Sequence, residues 1–322
     1  MDLDGATILL TGGTGSFGNA FIRHVSVRWP GATIRVYSRD ELKQSEMQAK
    51  FGDAGLRWFI GDVRDRTRMT RAAQGADLLV HAAAMKQVPA CEYNPFEAVR
   101  TNVMGAQHVV DAAIDARVPK VINLSTDKAV NPVNLYGATK LAAEKLVVQG
   151  NAYAAQSATR LSCVRYGNVV GSRGSVVPLF MKQAAEGRLT ITDDRMTRFW
   201  ITLDQAVNLV LHAVEHMVGG EIFIPKIPSM RVTDLADAIA PGVPREVIGI
   251  RPGEKLHELL LTSDESRHAI DAGDVYVVLP EHPWWEASPR WLDGKPLEDG
   301  FAYSSDNNDS WLTADELAGL VS

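Results

Sequence analysis

The stretch TGGTGSFG, Thr11 to Gly18, limits what this chain can fold into more than any other feature. An apolar, β-branched run from Thr7 to Leu10 precedes it. A segment with Phe17, Ala20, Phe21 and Val25 on one helical face follows it. Glycines at such a strand-to-helix turn let the backbone approach a pyrophosphate closely, and the helix N-terminus then offers N–H donors and partial positive charge. The stretch satisfies GxGxxG through Gly13, Gly15 and Gly18, and GxxGxxG through Gly12, Gly15 and Gly18. In this context the pattern predicts a dinucleotide site built from Gly12, Thr14, Gly15, Ser16, Phe17 and Gly18.

The same rhythm continues through the first half. Short apolar runs at Thr33 to Tyr37, Trp58 to Ile60, Leu78 to His81, Val121 to Leu124, Cys163 to Tyr166 and Ile222 to Ile224 alternate with stretches of helical period. The runs are continuous rather than alternating, as strands buried on both faces require. The β-α-β-α order predicts an α/β fold with a doubly wound parallel sheet of Rossmann type. A length of 322 residues exceeds what one typical core supports. We therefore expect residues 1–168 to form the dinucleotide-binding domain, with return segments near 203–225. Residues 169–322 are expected to form mainly a smaller, mixed, substrate-binding lobe. Its core is expected to hold Trp284, Trp285, Trp291 and Trp311.

Composition removes several classes of function. With 33 Lys and Arg against 39 Asp and Glu, the formal net charge is −6, and no basic block stands out, so nucleic acid is not an expected partner. Apolar runs such as Leu78 to Met85 fall far short of the ~20 residues of a membrane helix. The N-terminus is acidic and leads straight into a strand, which predicts no signal peptide and a cytoplasmic setting. Cys91 and Cys163 are too few for a disulfide framework and read as packing residues. His212 and His216 lie four apart on a predicted helix, but without an HExxH pattern or a third ligand they predict a helix face, not a metal site.

Cofactor choice is read at the end of the second strand, where an acidic residue suits the ribose of NAD and an Arg suits the 2′-phosphate of NADP. Here stand Ser38, Arg39 and Asp40, with Lys43 one turn on. Ser38 can donate to the phosphate, and Arg39 and Lys43 can neutralise it. Asp40 can still reach a ribose hydroxyl, so NADP is expected over NAD without removing NAD. Asp62 and Val63, after the third strand, stand where an adenine edge would be held. Ala82, just past the fourth, completes the cofactor set.

The second chemical motif is Tyr136-Gly-Ala-Thr-Lys140, preceded by Ser125-Thr126-Asp127-Lys128. Tyr136 and Lys140 are four apart, so a helix places both on one face. A Tyr of pKa ~10 is a poor base at neutral pH, but a neighbouring ammonium favours the phenolate. Such a phenolate can take the proton of an alcohol whose carbon gives up hydride. Asp127 and Lys128 are adjacent titratable groups at the carboxyl end of a buried strand, where sheets of this class bind ligands.

With these motifs the chain resembles the extended short-chain dehydrogenase/reductases that act on nucleotide sugars. MKQVPACEYNP (Met85 to Pro95), STDKAVNPVNLYGATK (Ser125 to Lys140), RYGNVVGSRGSVVP (Arg165 to Pro178), RMTRFWIT (Arg195 to Thr202) and IRPGEKLHE (Ile250 to Glu258) are similar to the configuration-inverting UDP-N-acetylglucosamine 4,6-dehydratases, a family that includes the first enzyme of pseudaminic acid synthesis. The similarity runs from about Thr7 to Leu317. It implies a lyase acting on UDP-N-acetylglucosamine with internal hydride transfer through NADP, giving the 4-keto-6-deoxy sugar of the L-arabino series, and a homo-oligomer. Tyr136 with Lys140 is then the base at the C4 hydroxyl. The resemblance makes Lys128 the C5 base and Asp127 the acid for the departing C6 hydroxyl. It places Arg198 and Arg251 around the diphosphate and Glu254 near the uridine ribose. Lys86, Asn168, Val169 and Arg173 are further expected substrate contacts. For Lys128 to act as a base at neutral pH, its pKa must fall below the usual ~10.4, which desolvation and the Lys140 charge would favour.

Two other functions compete. A 4-epimerase on the same sugar needs the Tyr base but no group at C5 or C6, so the Asp127-Lys128 pair argues against it. A non-enzymatic dinucleotide sensor has no use for a tuned phenolate, so Tyr136 and Lys140 argue against that.

The second strand carries a test. Charge-assisted bonds to a phosphate are among the stronger single interactions, so Arg39→Ala should weaken NADP binding by roughly tenfold or more while leaving NAD nearly unchanged in calorimetric titrations. Equal weakening of both would reverse the reading.

Overall fold

The glycine-rich turn works only if the strands on either side are parallel, with their carboxyl ends on one edge. The computed structural model describes residues 2–154, 157–171, 176–282, 285, 291 and 294–321. In its first half β1 (Thr7–Thr11), β2 (Thr33–Ser38), β3 (Leu56–Ile60), β4 (Leu78–His81), β5 (Lys120–Leu124) and β6 (Arg160–Val164) alternate with helices. These are α1 (Ser16–Arg28), α2 (Glu41–Phe51), α3 (Arg66–Ala73), the short α4 (Val88–Tyr93) and α5 (Pro95–Ala98), α6 (Gly105–Asp115) and α7 (Leu135–Tyr153). A π-helical turn, Val99–Met104, joins α5 to α6. The second half contributes β7 (Asn168–Val169), α8 (Val176–Ala185), β8 (Leu189–Ile191), β9 (Thr197–Ile201), α9 (Leu203–His216), β10 (Ile222–Pro225), β11 (Ser229–Arg231) and α10 (Val232–Ile239). It continues through β12 (Arg245–Val247), β13 (Leu259–Leu261), β14 (Ala269–Asp271), β15 (Val275–Val278), β16 (Lys295–Pro296) and β17 (Tyr303–Ser304) to a last helix, Ala314–Val321.

The main sheet has ten strands in the order β16-β14-β15-β10-β6-β5-β4-β1-β2-β3. From β3 to β10 every pairing is parallel, and the sense of the connections reverses between β1 and β4. That reversal opens the crevice where doubly wound sheets bind ligands. Apolar clusters cover both faces, which is why the strands read as continuous apolar runs. Helix α9 and strand β10 lie with this sheet, and α9 starts at a capping box formed by Thr202 and Gln205.

Two features differ from expectation. Strands β14, β15 and β16, within the stretch expected to be mainly the smaller lobe, extend the large sheet with antiparallel pairing. Of the four tryptophans expected there, the three described ones, Trp285, Trp291 and Trp311, do not form the smaller lobe's core. Trp291 is buried in the cluster on the large sheet, where its ring meets Phe223, and Trp285 packs against the same cluster. Trp311 is 37% exposed, and Trp284 lies outside the described residues. The extra strands create the apolar surface that Trp291 covers. The smaller lobe instead packs Phe180, Ile191, Trp200, Met230 and Leu235 between α8, α10 and its short strands.

One buried ionic cluster ties the two parts together. Arg165, just beyond β6 and 1% exposed, forks onto Glu144 of α7 at 3.1 and 2.8 Å. It also reaches Glu265 at 3.1 and 3.0 Å and the Leu260 carbonyl at 2.9 Å. Arg165→Met should therefore strand the Glu144 carboxylate and cost about 3–5 kcal/mol in urea-unfolding midpoint experiments. Burial opposes the ionised form of Glu265, but Arg165 and the Thr262 bonds hold its pKa below the usual value. Its contribution is thus fully present above ~4.3 and is lost as the pH falls further through the folded pKa.

Candidate active site

The glycine-rich turn is shaped by close approaches. Gly12 has φ +66°, and a Cβ there would lie 2.8 Å from the backbone of Ala82 and Ala83. A Cβ on Gly18 would lie 2.1 Å from the Gly13 carbonyl, so Gly18 seats α1 on the turn and does not face the cavity. Gly15 is the N-cap of α1 and no side-chain hydrogen bond caps the helix, so its positive end faces the turn. These residues fit a dinucleotide phosphate.

A single cavity of about 1390 Å³ runs from this turn into the smaller lobe. Of the expected cofactor residues, Gly12, Thr14, Gly15, Ser16, Phe17, Ser38, Arg39, Asp40, Lys43, Val63, Ala82, Tyr136 and Lys140 line it. Asp62 does not, because Arg64 holds its carboxylate at 2.6 Å and Arg39 lies 3.9 Å away. Asp40 is committed as well. It caps α2 by accepting from the Lys43 amide at 3.0 Å and pairs with the Lys43 ammonium at 2.7 Å.

The turn after β5 and the helix that follows it meet through one glycine. A short 3₁₀ turn, Asp127–Ala129, follows β5, and α7 begins at Asn134, which caps it by accepting from the Gly137 amide at 2.8 Å. A Cβ on Gly137 would sit 2.0 Å from the Lys128 carbonyl. Only glycine lets Tyr136 and Lys128 share one wall. Lys140 donates to the Leu124 carbonyl at 2.7 Å, which locks α7 to β5. Asp127 is fully buried and lies behind Lys128, off the cavity surface. It accepts from the Thr126 hydroxyl at 2.7 Å and from Lys128 at 3.0 Å. The Ser125 hydroxyl, on the cavity wall, is buried with no hydrogen-bond partner in the protein, which suits a ligand oxygen.

The substrate residues divide. Lys86, Asn168, Val169, Arg198, Arg251 and Glu254 all line the cavity, and Arg173 lies outside the described residues. Arg198 is already occupied. It donates to the carbonyls of Thr197, Lys255 and Leu256 at 2.7, 3.1 and 2.9 Å, so it clamps the 255–256 backbone. Arg251 and Glu254 stand 4.0 Å apart. Sequence reasoning passed over two residues. Asn102, in the π-helical turn, brackets the backbone of Met85 at 2.8 and 2.9 Å and donates to Thr139 at 3.0 Å, fixing the loop that carries Lys86. Glu258, 3% exposed, lies 3.6 Å from the Lys128 ammonium. The i, i+3 spacing of Lys255 and Glu258 was its only signal.

A family model described as polysaccharide biosynthesis protein matches residues 8–280. The chain belongs to that family. An inverting UDP-N-acetylglucosamine 4,6-dehydratase of Campylobacter jejuni is 51% identical over 99% of this chain and 98% of its own. A UDP-glucose 4-epimerase of Rickettsia canadensis is 45% identical over 84% of this chain and 82% of its own. The X-ray structure of Pen from Bacillus thuringiensis superposes with a TM-score of 0.91 at 39% identity, covering 100% of this chain and 98% of that one. The likeness to the dehydratases seen in the motifs thus spans nearly the whole chain, on the extended short-chain dehydrogenase/reductase fold.

In this member of the family the electrostatics depart from expectation at two groups. Burial pushes the Tyr136 phenol up to about 12, and the cation that opposes this is Lys128 rather than Lys140. Burial acts to lower Lys128, but the Asp127 and Glu258 carboxylates outweigh it and raise the amine above the usual lysine value. The expected fall in the Lys128 pKa is therefore reversed in the substrate-free protein, because two carboxylates face the amine and Lys140 points away to Leu124.

Proposed function

We propose that this chain is a UDP-N-acetylglucosamine 4,6-dehydratase that inverts C5 and uses NADP. The observation that carries the reading is the shared wall of Tyr136 and Lys128, inside one cavity continuous with the phosphate turn. When bound there, a nicotinamide dinucleotide supplies a site that takes hydride from C4 and returns it to C6.

The chain's own groups would do the rest. Tyr136 accepts the C4 hydroxyl proton, and Lys128 lowers the cost of the phenolate. Lys128 exchanges a proton with C5, which the C4 ketone has made acidic, and inversion requires that C5 regain its proton on the opposite face, from water or a second group. Asp127 serves the departing C6 hydroxyl: it takes a proton from the Lys128 ammonium, which frees the amine to accept the C5 proton, and passes it on through the Thr126 hydroxyl, since it lies behind Lys128 and off the cavity surface. Lys86 and Arg251 supply positive charge for the diphosphate, and Asn168 orients the hexose. The occupied Asp40 carboxylate and the half-exposed Arg39 and Lys43 support NADP over NAD. We further propose a self-associating cytoplasmic enzyme in the synthesis of pseudaminic acid or a related glycan. Tyr93 and Phe96, 89% and 78% exposed on α4 and α5, support self-association.

The 4-epimerase reading stays in view because an epimerase is among the similar proteins. Against it stands the buried Asp127-Lys128-Glu258 cluster, which an epimerase has no step to employ. Incubation with UDP-N-acetylglucosamine and mass measurement separates the readings. We expect loss of one water, whereas an unchanged mass with altered stereochemistry would establish the epimerase. Tyr136→Phe should still bind the nucleotide sugar but turn over about 10²–10⁴-fold more slowly. Unimpaired turnover would place the C4 base elsewhere.

A further inference from the structure

Residues 251–258 form a strap tied to the catalytic turn. Asn134 donates to the Gly253 carbonyl at 2.7 Å, and Lys255 donates to the Val130 carbonyl. Gly253 has φ +81°, and a Cβ there would lie 3.0 Å from that of Asn134, so the contact needs glycine. At the end of the strap the backbone of Glu258 is fixed on both sides by Ser305. Its amide donates to the Ser305 hydroxyl at 2.9 Å, and its carbonyl accepts from the Ser305 amide at 2.8 Å.

The strap thus delivers a carboxylate to a defined place. Glu258 lies 3.6 Å from Lys128, 3.8 Å from Lys255 and 3.9 Å from Arg198. Its Oε2 is buried and makes no hydrogen bond within the protein. A buried carboxylate is costly unless paired, and here its partners are cations just beyond hydrogen-bond reach. Around the Lys128 amine stand Asp127 from its own turn and Asn168 from β7. Glu258 and Arg198 face it from the smaller lobe, Lys86 from the loop after β4, and Tyr136 from α7. Asp127 and Glu258 are the carboxylates in that set, and only Glu258 arrives from a different part of the chain.

We infer that Glu258 is a positioning residue for Lys128: the strap brings its carboxylate against the amine, where it fixes the amine's direction and holds it as an ammonium while the site awaits substrate. The inference rests on the reading that Lys128 exchanges a proton with C5. Lys128 then enters the cycle already carrying a proton. The resting charge of a group on the catalytic turn is set by a residue of the smaller lobe, so displacing the strap would change the chemistry of the turn without touching it.

The test uses the whole chain with 15N-labelled lysine, the Lys128 Nζ signal being assigned by its loss in Lys128→Arg. In the wild type this amine should still be mostly charged at about pH 11, beyond an ordinary lysine's half-way point of ~10.4. In Glu258→Gln its midpoint should fall by about one unit or more, the usual effect of losing an opposite charge within a few ångströms. The limb of C5 exchange with deuterated water that depends on Lys128 should move to lower pH by the same amount, whether the amine gives or takes the proton. Glu258→Asp, which restores the charge, should move both readouts back toward the wild type. A wild-type amine half neutral at or below about pH 10.4 overturns the inference with no variant needed. Coincident midpoints for wild type and Glu258→Gln overturn it too. Failure of the dehydratase reading would show differently, as no loss of water from UDP-N-acetylglucosamine, and would leave the amine titration as described.

Discussion

The carbonyl of Lys128 fills the space that a side chain at position 137 would need. Much else in the site depends on that contact. It brings the first turn of α7 down onto the 3₁₀ turn after β5, so that a phenol and an amine from separate elements share one cavity wall. Hydrogen bonds then hold the arrangement. Lys140 ties α7 to the end of β5, and Asp127 takes the Lys128 ammonium from behind. Further along the helix, Glu144 meets Arg165, which also grips the Leu260 carbonyl and Glu265. The glycine contact sets how closely α7 meets the turn, and the buried arginine ties residues 260–265 to α7.

This arrangement gives the lysine of the YxxxK pair a different task from the one its spacing suggests. Lys140 sits on the right helix face, but its ammonium is spent on a backbone carbonyl. Lys128 is the cation that acts on the Tyr136 phenol. A short turn thereby supplies the charge that eases the phenolate and an amine on the cavity wall.

The parallel strands and the phosphate turn were legible because their signals are local. A continuous apolar run, a glycine triplet at fixed spacing and a Tyr-Lys pair one helical turn apart each read out within a few residues. The strand extension β14–β16 was not legible, since short antiparallel strands such as Val275–Val278 carry too little periodicity to be told from the core of a small lobe. The same blindness misplaced Trp291, whose partner Phe223 is far away in sequence. Within the site, residue types predicted candidates well but not their commitments. Arg198 reads as a phosphate ligand, yet its donors are taken by three carbonyls, and Asp62 reads as an adenine contact, yet Arg64 holds it. Glu258 was invisible because its meaning depends on a contact with Lys128 across 130 positions of chain, and no local pattern records such a contact.

The cap at the start of α2 has a consequence for protein engineering. Asp40 stands where a carboxylate could bind a ribose, but it is also the group that starts the helix and restrains Lys43. Redirecting that carboxylate toward a ligand would unwind the first turn that presents Lys43. Cofactor preference and helix initiation are therefore one trait here, and a designer who wishes to change the first must supply a new residue to begin the second.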